Sequence, residues 1–159
     1  MIANGNVDQP FDRTGFKAGD CAAARMTGKP RKAIFQNTVH ALREAAAAKA
    51  DMIEIDVAVT KDGKPVLFGD DDLGCRTNGK GPVREATLAE IMALDAGHGY
   101  TSDGGESHPF RGKAVRGIQP LSTWLLYVRS SKKVMFNFKS RKRKTSNLIK
   151  LLGLAAINF

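Results

Sequence analysis

Ala50-Asp-Met-Ile-Glu54-Ile-Asp56-Val-Ala-Val59-Thr-Lys-Asp-Gly63-Lys-Pro65-Val-Leu-Phe68-Gly69-Asp70-Asp71-Asp72 is the stretch that decides the fold. Met52 to Val59 and Pro65 to Phe68 are rich in β-branched and apolar residues, and Lys61-Asp62-Gly63 between them is a turn signal. Five residues separate Val59 from Pro65. Parallel strands need a crossover of about a dozen, so an antiparallel hairpin is expected, with Gly63 in a left-handed position. Centring the turn between Lys61 and Asp62 sets Glu54 opposite Gly69 and Asp56 opposite Leu67. Glu54 and Asp56 lie two apart on one strand, so both carboxylates leave the same face. Two acids on an otherwise apolar strand need compensation, because an unpaired buried charge is costly. A hard divalent cation would supply it, since Mg²⁺ and Ca²⁺ take oxygen ligands. So would Lys or Arg, of which the chain has 25.

The residues around the hairpin carry a resemblance. Asp51 to Phe68, followed by Arg76-Thr-Asn-Gly-Lys-Gly81, resembles the glycerophosphodiester phosphodiesterase family of the phospholipase-C-like phosphodiesterase superfamily. Gln36-Asn37-Thr38 sits where that family carries Glu-Asn-Thr before its first helix. Thr87 to Asp95 resembles its next helix, Phe110-Arg-Gly-Lys113 with Ile118-Gln-Pro-Leu121 a later lead-in, and Phe136-Asn137-Phe-Lys139-Ser140 a following strand. The likeness runs from about Ile2 to Ser140 in the family's order. It implies an α/β fold, a TIM-type (β/α)₈ barrel, which normally needs ~250 residues. The 159 residues here hold about half of one: Met1–Ala3, the hairpin pair, Val134–Phe138 and a short strand near Lys113–Ile118. Either the chain is truncated, or a second copy or another chain covers its open sheet edges.

The same resemblance implies metal-dependent hydrolysis of glycerophosphodiesters, the deacylated phospholipid headgroups of lipid metabolism, to glycerol 3-phosphate and an alcohol. Glu54, Asp56 and Asn137 are the implied ligands of Mg²⁺ or Ca²⁺, with Asn137 at a position where many members carry a carboxylate. Lys139, Asp70 and Arg76 are the implied substrate contacts. The two histidines that serve the family as general acid and base are replaced by Asn4 and Gly69, and Gln36 replaces the usual Glu. Neither asparagine nor glycine exchanges a proton near neutral pH as histidine does. Each such contribution is worth about 10²–10⁴ in rate, so impaired hydrolysis is expected. The alternative is a non-catalytic relative, a metal- and phosphodiester-binding or interaction module.

The rest of the chain is read against that frame of a soluble domain, 42% hydrophobic and 26% charged. Residues 1–140 form the family-like domain and 141–159 a basic, apolar tail. No basic start precedes an apolar core at the N-terminus, and no apolar run is long enough to span a membrane, so a cytoplasmic location is the default expectation. In a reducing compartment Cys21 and Cys75, which form no CxxC pattern, are expected as free thiols. Thr38 to Ala50 reads as a helix capped by Thr38 with Val39, Leu42, Ala45 and Ala46 on one stripe, and Thr87-Leu-Ala-Glu90 as a capping box. Trp124, Leu125, Leu126 and Val128 are expected to pack a helix on the sheet. Asn4 to Pro30 and Gly97 to Pro109 read as loops. His98 and His108 are remote candidates to restore proton transfer, and His40 a surface residue. Asp71 and Asp72 read as an exposed acidic turn. The last 19 residues hold five Lys/Arg and no acid, more than half of the formal +9. A helix docked on the barrel is the favoured reading of this tail, and contact with an anionic membrane the alternative. No nucleic-acid-binding motif accompanies the charge.

Overall fold

A computed structural model describes residues 2–4, 11, 12, 14, 15, 17, 20–28, 35–48, 52–114, 117–128 and 133–138. The elements in chain order are β1 (Ile2–Asn4), α1 (Val39–Ala47), β2 (Met52–Val59), β3 (Pro65–Leu67), α2 (Leu88–Met92), α3 (Leu121–Val128) and β4 (Lys133–Phe138). Short 3₁₀ turns occupy Ala22–Arg25, Leu73–Cys75 and Val83–Glu85. β2 is the centre of the sheet. β4 runs parallel to it from Met52 to Val57, β1 parallel from Met52 to Glu54, and β3 antiparallel from Val57 to Val59. Two parallel crossovers, β1–α1–β2 and β2 to β4 by way of α3, make this the start of a (β/α) barrel, with β3 an added hairpin strand.

Alternation along β2 sets the layers. Ile53, Ile55 and Val57 are buried, while Met52, Glu54 and Asp56 are half-buried on the opposite face. The buried set packs with Leu42 and Ala45 of α1, Leu121 and Trp124 of α3, and Leu67. Thr38 caps α1 as the sequence predicts: its Oγ1 accepts a hydrogen bond from the Ala41 N–H at 3.2 Å and donates one to the Phe35 carbonyl at 2.8 Å. A second core lies under the loops. There Tyr100, fully buried, packs against Phe11, Phe35 and Phe110 at 6.2, 5.4 and 5.9 Å between ring centroids. The Gly97–Pro109 stretch is irregular as expected, with residues 102–107 exposed, but Tyr100 and Thr101 near its start are buried.

Three further expectations are corrected. The hairpin register is Val57–Leu67, Ala58–Val66 and Val59–Pro65, one residue away from the predicted pairing. Thr60 N–H donates to the Lys64 carbonyl and Gly63 N–H to the Thr60 carbonyl, both at 3.0 Å, and Gly63 has φ 76°. This three-residue loop centres the turn on Asp62, and Phe68 N–H donates to the Asp56 carbonyl at 3.1 Å. Among the described residues of Lys113–Ile118 no strand forms, and the nearest pairing is a single antiparallel bridge between Val66 and Pro120. Proline has no N–H with which to extend a ladder.

The third correction concerns the cysteines. Cys21 and Cys75 form a disulfide, their Cα atoms 5.2 Å apart across 54 positions of sequence. The excursion after β1 folds back: Met26 N–H donates to the Thr101 carbonyl at 3.2 Å and Thr101 N–H to the Ala23 carbonyl at 3.1 Å. Those bonds bring residues 21–26 beside the Leu73–Cys75 turn. Disulfides persist in oxidising compartments, so the bond removes the ground for expecting free thiols in a reducing one. Among the described residues no helix is long and apolar enough to cross a membrane. Lys139 and the tail 141–159 lie outside the described residues.

Two predictions follow from this packing. Closing a loop of this length restricts the unfolded chain, so Cys21→Ser is expected to lower stability by about 2–4 kcal/mol. Reductant should bring the wild type to the same melting curve and leave Cys21→Ser unmoved; identical curves with and without reductant would show that the bond does not hold the fold. The second concerns the capping box, which is present: Thr87 N–H donates to Glu90 Oε2 at 2.7 Å, and Glu90 N–H donates back to Thr87 Oγ1 at 3.4 Å. The Thr87 N–H first, and then the Thr87 hydroxyl, which donates to Oε2 at 2.8 Å, hold the Glu90 carboxyl below its ordinary pKa. A depressed folded-state pKa stabilises the fold above the unfolded value and loses that contribution as pH falls through the folded one. The stability gap between wild type and Glu90→Gln should thus close as pH drops from about 6 to about 3.

Candidate functional site

The parallel strands deliver the predicted residues to one end of the sheet. Asn4, last in β1, is in register with Glu54, and Asn137 of β4 is in register with Asp56. Glu54 and Asp56 share the half-buried face of β2. The end in question is the C-terminal end of the strands, where (β/α) barrels carry their active sites.

Gly69 reaches the same place from the other side of the hairpin. A Cβ on Gly69 would sit 2.7 Å from Asp56 Oδ2 and 3.1 Å from Asn37 Nδ2. Asn37 is the residue that the sequence reading quoted but gave no role. It is 4% exposed and adopts φ 57°, a left-handed conformation that asparagine tolerates better than other side chains. Its Nδ2 donates to Asp56 Oδ2 at 3.2 Å, and its Oδ1 accepts from the Asp56 N–H at 3.0 Å. The one signal in the sequence is its position: an Asn just ahead of the N-cap Thr38.

Arg76 and Asp70, predicted to contact substrate, contact each other. The Arg76 Nε–H donates to Asp70 Oδ2 and its Nη2 to Asp70 Oδ1, a bidentate pair. Nη1 donates to Gln36 Oε1 at 2.6 Å and to the Tyr100 hydroxyl at 3.0 Å. Burial works against the guanidinium charge, but Tyr100 and Asp70 outweigh it and raise the Arg76 pKa above its ordinary value. Arg76 is thus the charged hub that ties the Leu73–Cys75 turn to the strand end and to the entry of α1. A small hollow of about 10 Å³, room for one water, lies among Gln36, Asn37, Gly69 and Arg76. Neither His98 nor His108 lines it, and His40 is exposed on α1. Asp71 and Asp72 are exposed as predicted, and Asp72 Oδ1 accepts from the Gly74 N–H at 2.7 Å.

The donor set fits a hard cation. Glu54 and Asp56 offer carboxylate oxygens from one face, and among the described residues no cluster of three or more His, Cys, Asp or Glu gathers. Two carboxylates completed by water and substrate oxygens is the manner in which Mg²⁺ is commonly held; a protein Ca²⁺ site collects six to eight oxygens.

Residues 22–151 match the model of the glycerophosphoryl diester phosphodiesterase family. The chain belongs to that family. The match begins after β1, so the place of Asn4 rests on its register beside Glu54. Over 80 residues the chain is 42% identical to the uncharacterised protein Rv2277c of Mycobacterium tuberculosis, covering 50% of this chain and 27% of that protein. Over another 80 it is 40% identical to a glycerophosphodiester phosphodiesterase of Bacillus subtilis, covering 50% and 26%. The crystal structure of the glycerophosphoryl diester phosphodiesterase domain of Rv2277c superimposes with a TM-score of 0.63 at 31% identity, over 75% of this chain and 43% of that one. An Oleispira antarctica phosphodiesterase, solved in complex with the product sn-glycerol-3-phosphate, shares the fold with a TM-score of 0.62 at 21% identity, over 96% and 51%. The chain therefore spans about a quarter of the length of these curated family relatives and about half of the solved ones.

The hub generates a stability prediction. Arg76→Met would leave Asp70, Gln36 and the Tyr100 hydroxyl without their shared donor, at a cost of about 3–5 kcal/mol, the range for breaking one side of a buried pair. Arg76→Lys should recover only part, because an ammonium lacks the guanidinium fork. Urea unfolding of the three proteins checks this, and a cost below about 1 kcal/mol for Arg76→Met would mean that the pair behaves as a surface bridge.

Proposed function

We propose that this chain carries the metal- and phosphodiester-binding part of a glycerophosphodiester phosphodiesterase site, with hydrolysis impaired. The observation that carries the reading is Gly69, which meets Asp56 at the strand end with no proton-exchanging group of its own. Glu54 and Asp56, with Asn137 in register beside Asp56, would hold the cation. A cation there would polarise a phosphoryl oxygen and lower the pKa of a hydroxyl nucleophile. The substrate class follows from family membership and from the 40%-identical relative that carries the enzyme's name. Lys139, two residues beyond Asn137 in sequence, is the candidate for a phosphate oxygen, and Arg76 and Asp70 are the other candidate substrate contacts. Asn4 and Gly69 occupy the positions where acid and base belong. Losing both groups removes on the order of 10⁴–10⁸ in rate if their effects multiply.

Glycerophosphocholine hydrolysis in Mg²⁺ or Ca²⁺ tests this, beside binding of Mn²⁺ and of glycerol 3-phosphate. The expected result is binding of both ligands without measurable turnover. Turnover by the unaltered chain that Glu54→Ala abolishes would overturn the impairment, and His98 and His108 would be the next side chains to remove. A chain that binds neither ligand would leave only the non-catalytic interaction module. The variant Asn4→His/Gly69→His is the informative third arm. An imidazole at position 69 meets the Asp56 carboxylate, so turnover there requires that carboxylate to move aside.

A further inference from the structure

We propose that Asn37 is a positioning residue for Asp56, and that Gly69 is the space this arrangement requires. The inference rests on the metal-site reading of Glu54 and Asp56 and assigns two further residues to that site.

The need for Asn37 begins with the backbone. Among the described residues β1 pairs with β2 as far as Glu54, and β3 joins it at Val57. The Asp56 N–H falls between the two ladders, and a strand N–H left unsatisfied in the interior is costly. Asn37 Oδ1 accepts it at 3.0 Å. The amide that fills the gap also has a donor end, and Nδ2 is directed to the carboxylate of the same residue at 3.2 Å. One buried side chain thereby grips Asp56 at two points and sets the plane of its carboxylate. The left-handed backbone of Asn37, φ 57°, is what aims the amide there, on the last turn before Thr38 caps α1.

Gly69 completes the arrangement by lacking a side chain. Its Cβ would stand 2.7 Å from Asp56 Oδ2 and 3.3 Å from Asp56 Cγ, and 3.1 Å from the Asn37 amide nitrogen. Oδ2 cannot yield freely, since Asn37 holds it. Any side chain at position 69 therefore competes with the grip. Gly69 thus has a steric role in this backbone, separate from its lack of a proton-exchanging side chain.

Groups that orient a metal ligand from behind are typically worth 10–100-fold in metal affinity. The test is Mn²⁺ binding to the full chain, followed by electron paramagnetic resonance, with melting temperature measured in parallel. Asn37→Gly suits the left-handed backbone while deleting the amide, and Gly69→Ala adds only the Cβ. Each is expected to weaken Mn²⁺ binding about tenfold or more. In an Asp56→Ala background, where Glu54 remains, Asn37→Gly should add nothing. A role confined to folding would instead lower affinity in both backgrounds. Unchanged affinity in Asn37→Gly and Gly69→Ala, or a loss that persists without Asp56, overturns the proposal while the metal site stands. A wild-type chain that binds no Mn²⁺ overturns the metal-site reading itself, and this proposal with it. Hydrogen exchange of the metal-free protein reads the grip separately. The Asp56 amide should be protected in the wild type and lose that protection in Asn37→Gly; equal protection overturns the grip.

Discussion

The hydrogen-bonding demand of β2 is the constraint on which the described structure depends. A central strand must satisfy backbone groups on both edges, and β2 does so with four different partners. β4 covers one edge continuously from Met52 to Val57. Among the described residues the other edge is divided between β1, paired as far as Glu54, and β3, paired from Val57. That division separates the barrel part of the sheet from the hairpin built upon it. It also leaves an interval at Asp56, and the interval is where the site sits. A side chain, Asn37, substitutes for a strand there, so the entry of α1 is tied to the strand end by a side-chain contact that also serves the backbone.

Charge is organised behind that contact. Arg76 is buried and charged, and it binds the carboxylate of Asp70, the carboxamide of Gln36 and the hydroxyl of Tyr100. The hub holds one guanidinium against one carboxylate, with Gln36 supplying a neutral acceptor. The Cys21–Cys75 bond anchors the chain one residue before Arg76. Gln36 is one residue before Asn37. A covalent anchor, an ion-pair hub and the amide that grips Asp56 therefore follow one another through adjacent residues, and the loops around the site are fixed by these bonds rather than by strand pairing.

Much of this was legible in the sequence, for identifiable reasons. The β-branched and apolar run Met52–Val59 located β2, the two-residue spacing of Glu54 and Asp56 put both acids on one face, and helix caps at Thr38 and Thr87 announced themselves by residue type and spacing. The register of the hairpin was not legible, because a turn with Gly63 at φ 76° can be centred on a bond or on a residue, and only the ladder distinguishes them. The disulfide was hidden by sequence distance, since the fold-back of residues 21–26 rests on backbone bonds to Ala23 and Met26, whose side chains carry no signal. Asn37 escaped for a related reason. Its role depends on where β1 ends and β3 begins, a property of three strands together.

The approach of Gly69 to Asp56 illustrates how a residue without a side chain can shape a site. When a side chain is deleted beside a carboxylate, the carboxylate can relax into the space only if something holds it there. In this chain Asn37 does so, and Asp56 Oδ2 lies within 2.7 Å of where a Cβ would begin. The acid and the glycine are then mutually dependent: restoring bulk at 69 costs the grip on Asp56, and releasing Asp56 leaves the space beside Gly69 unfilled. Such coupling makes reversal by a single substitution difficult, because neighbours that share a contact do not contribute additively. On the proposed reading of the site, position 69 serves as part of the scaffold around Asp56 rather than as a proton-transfer group.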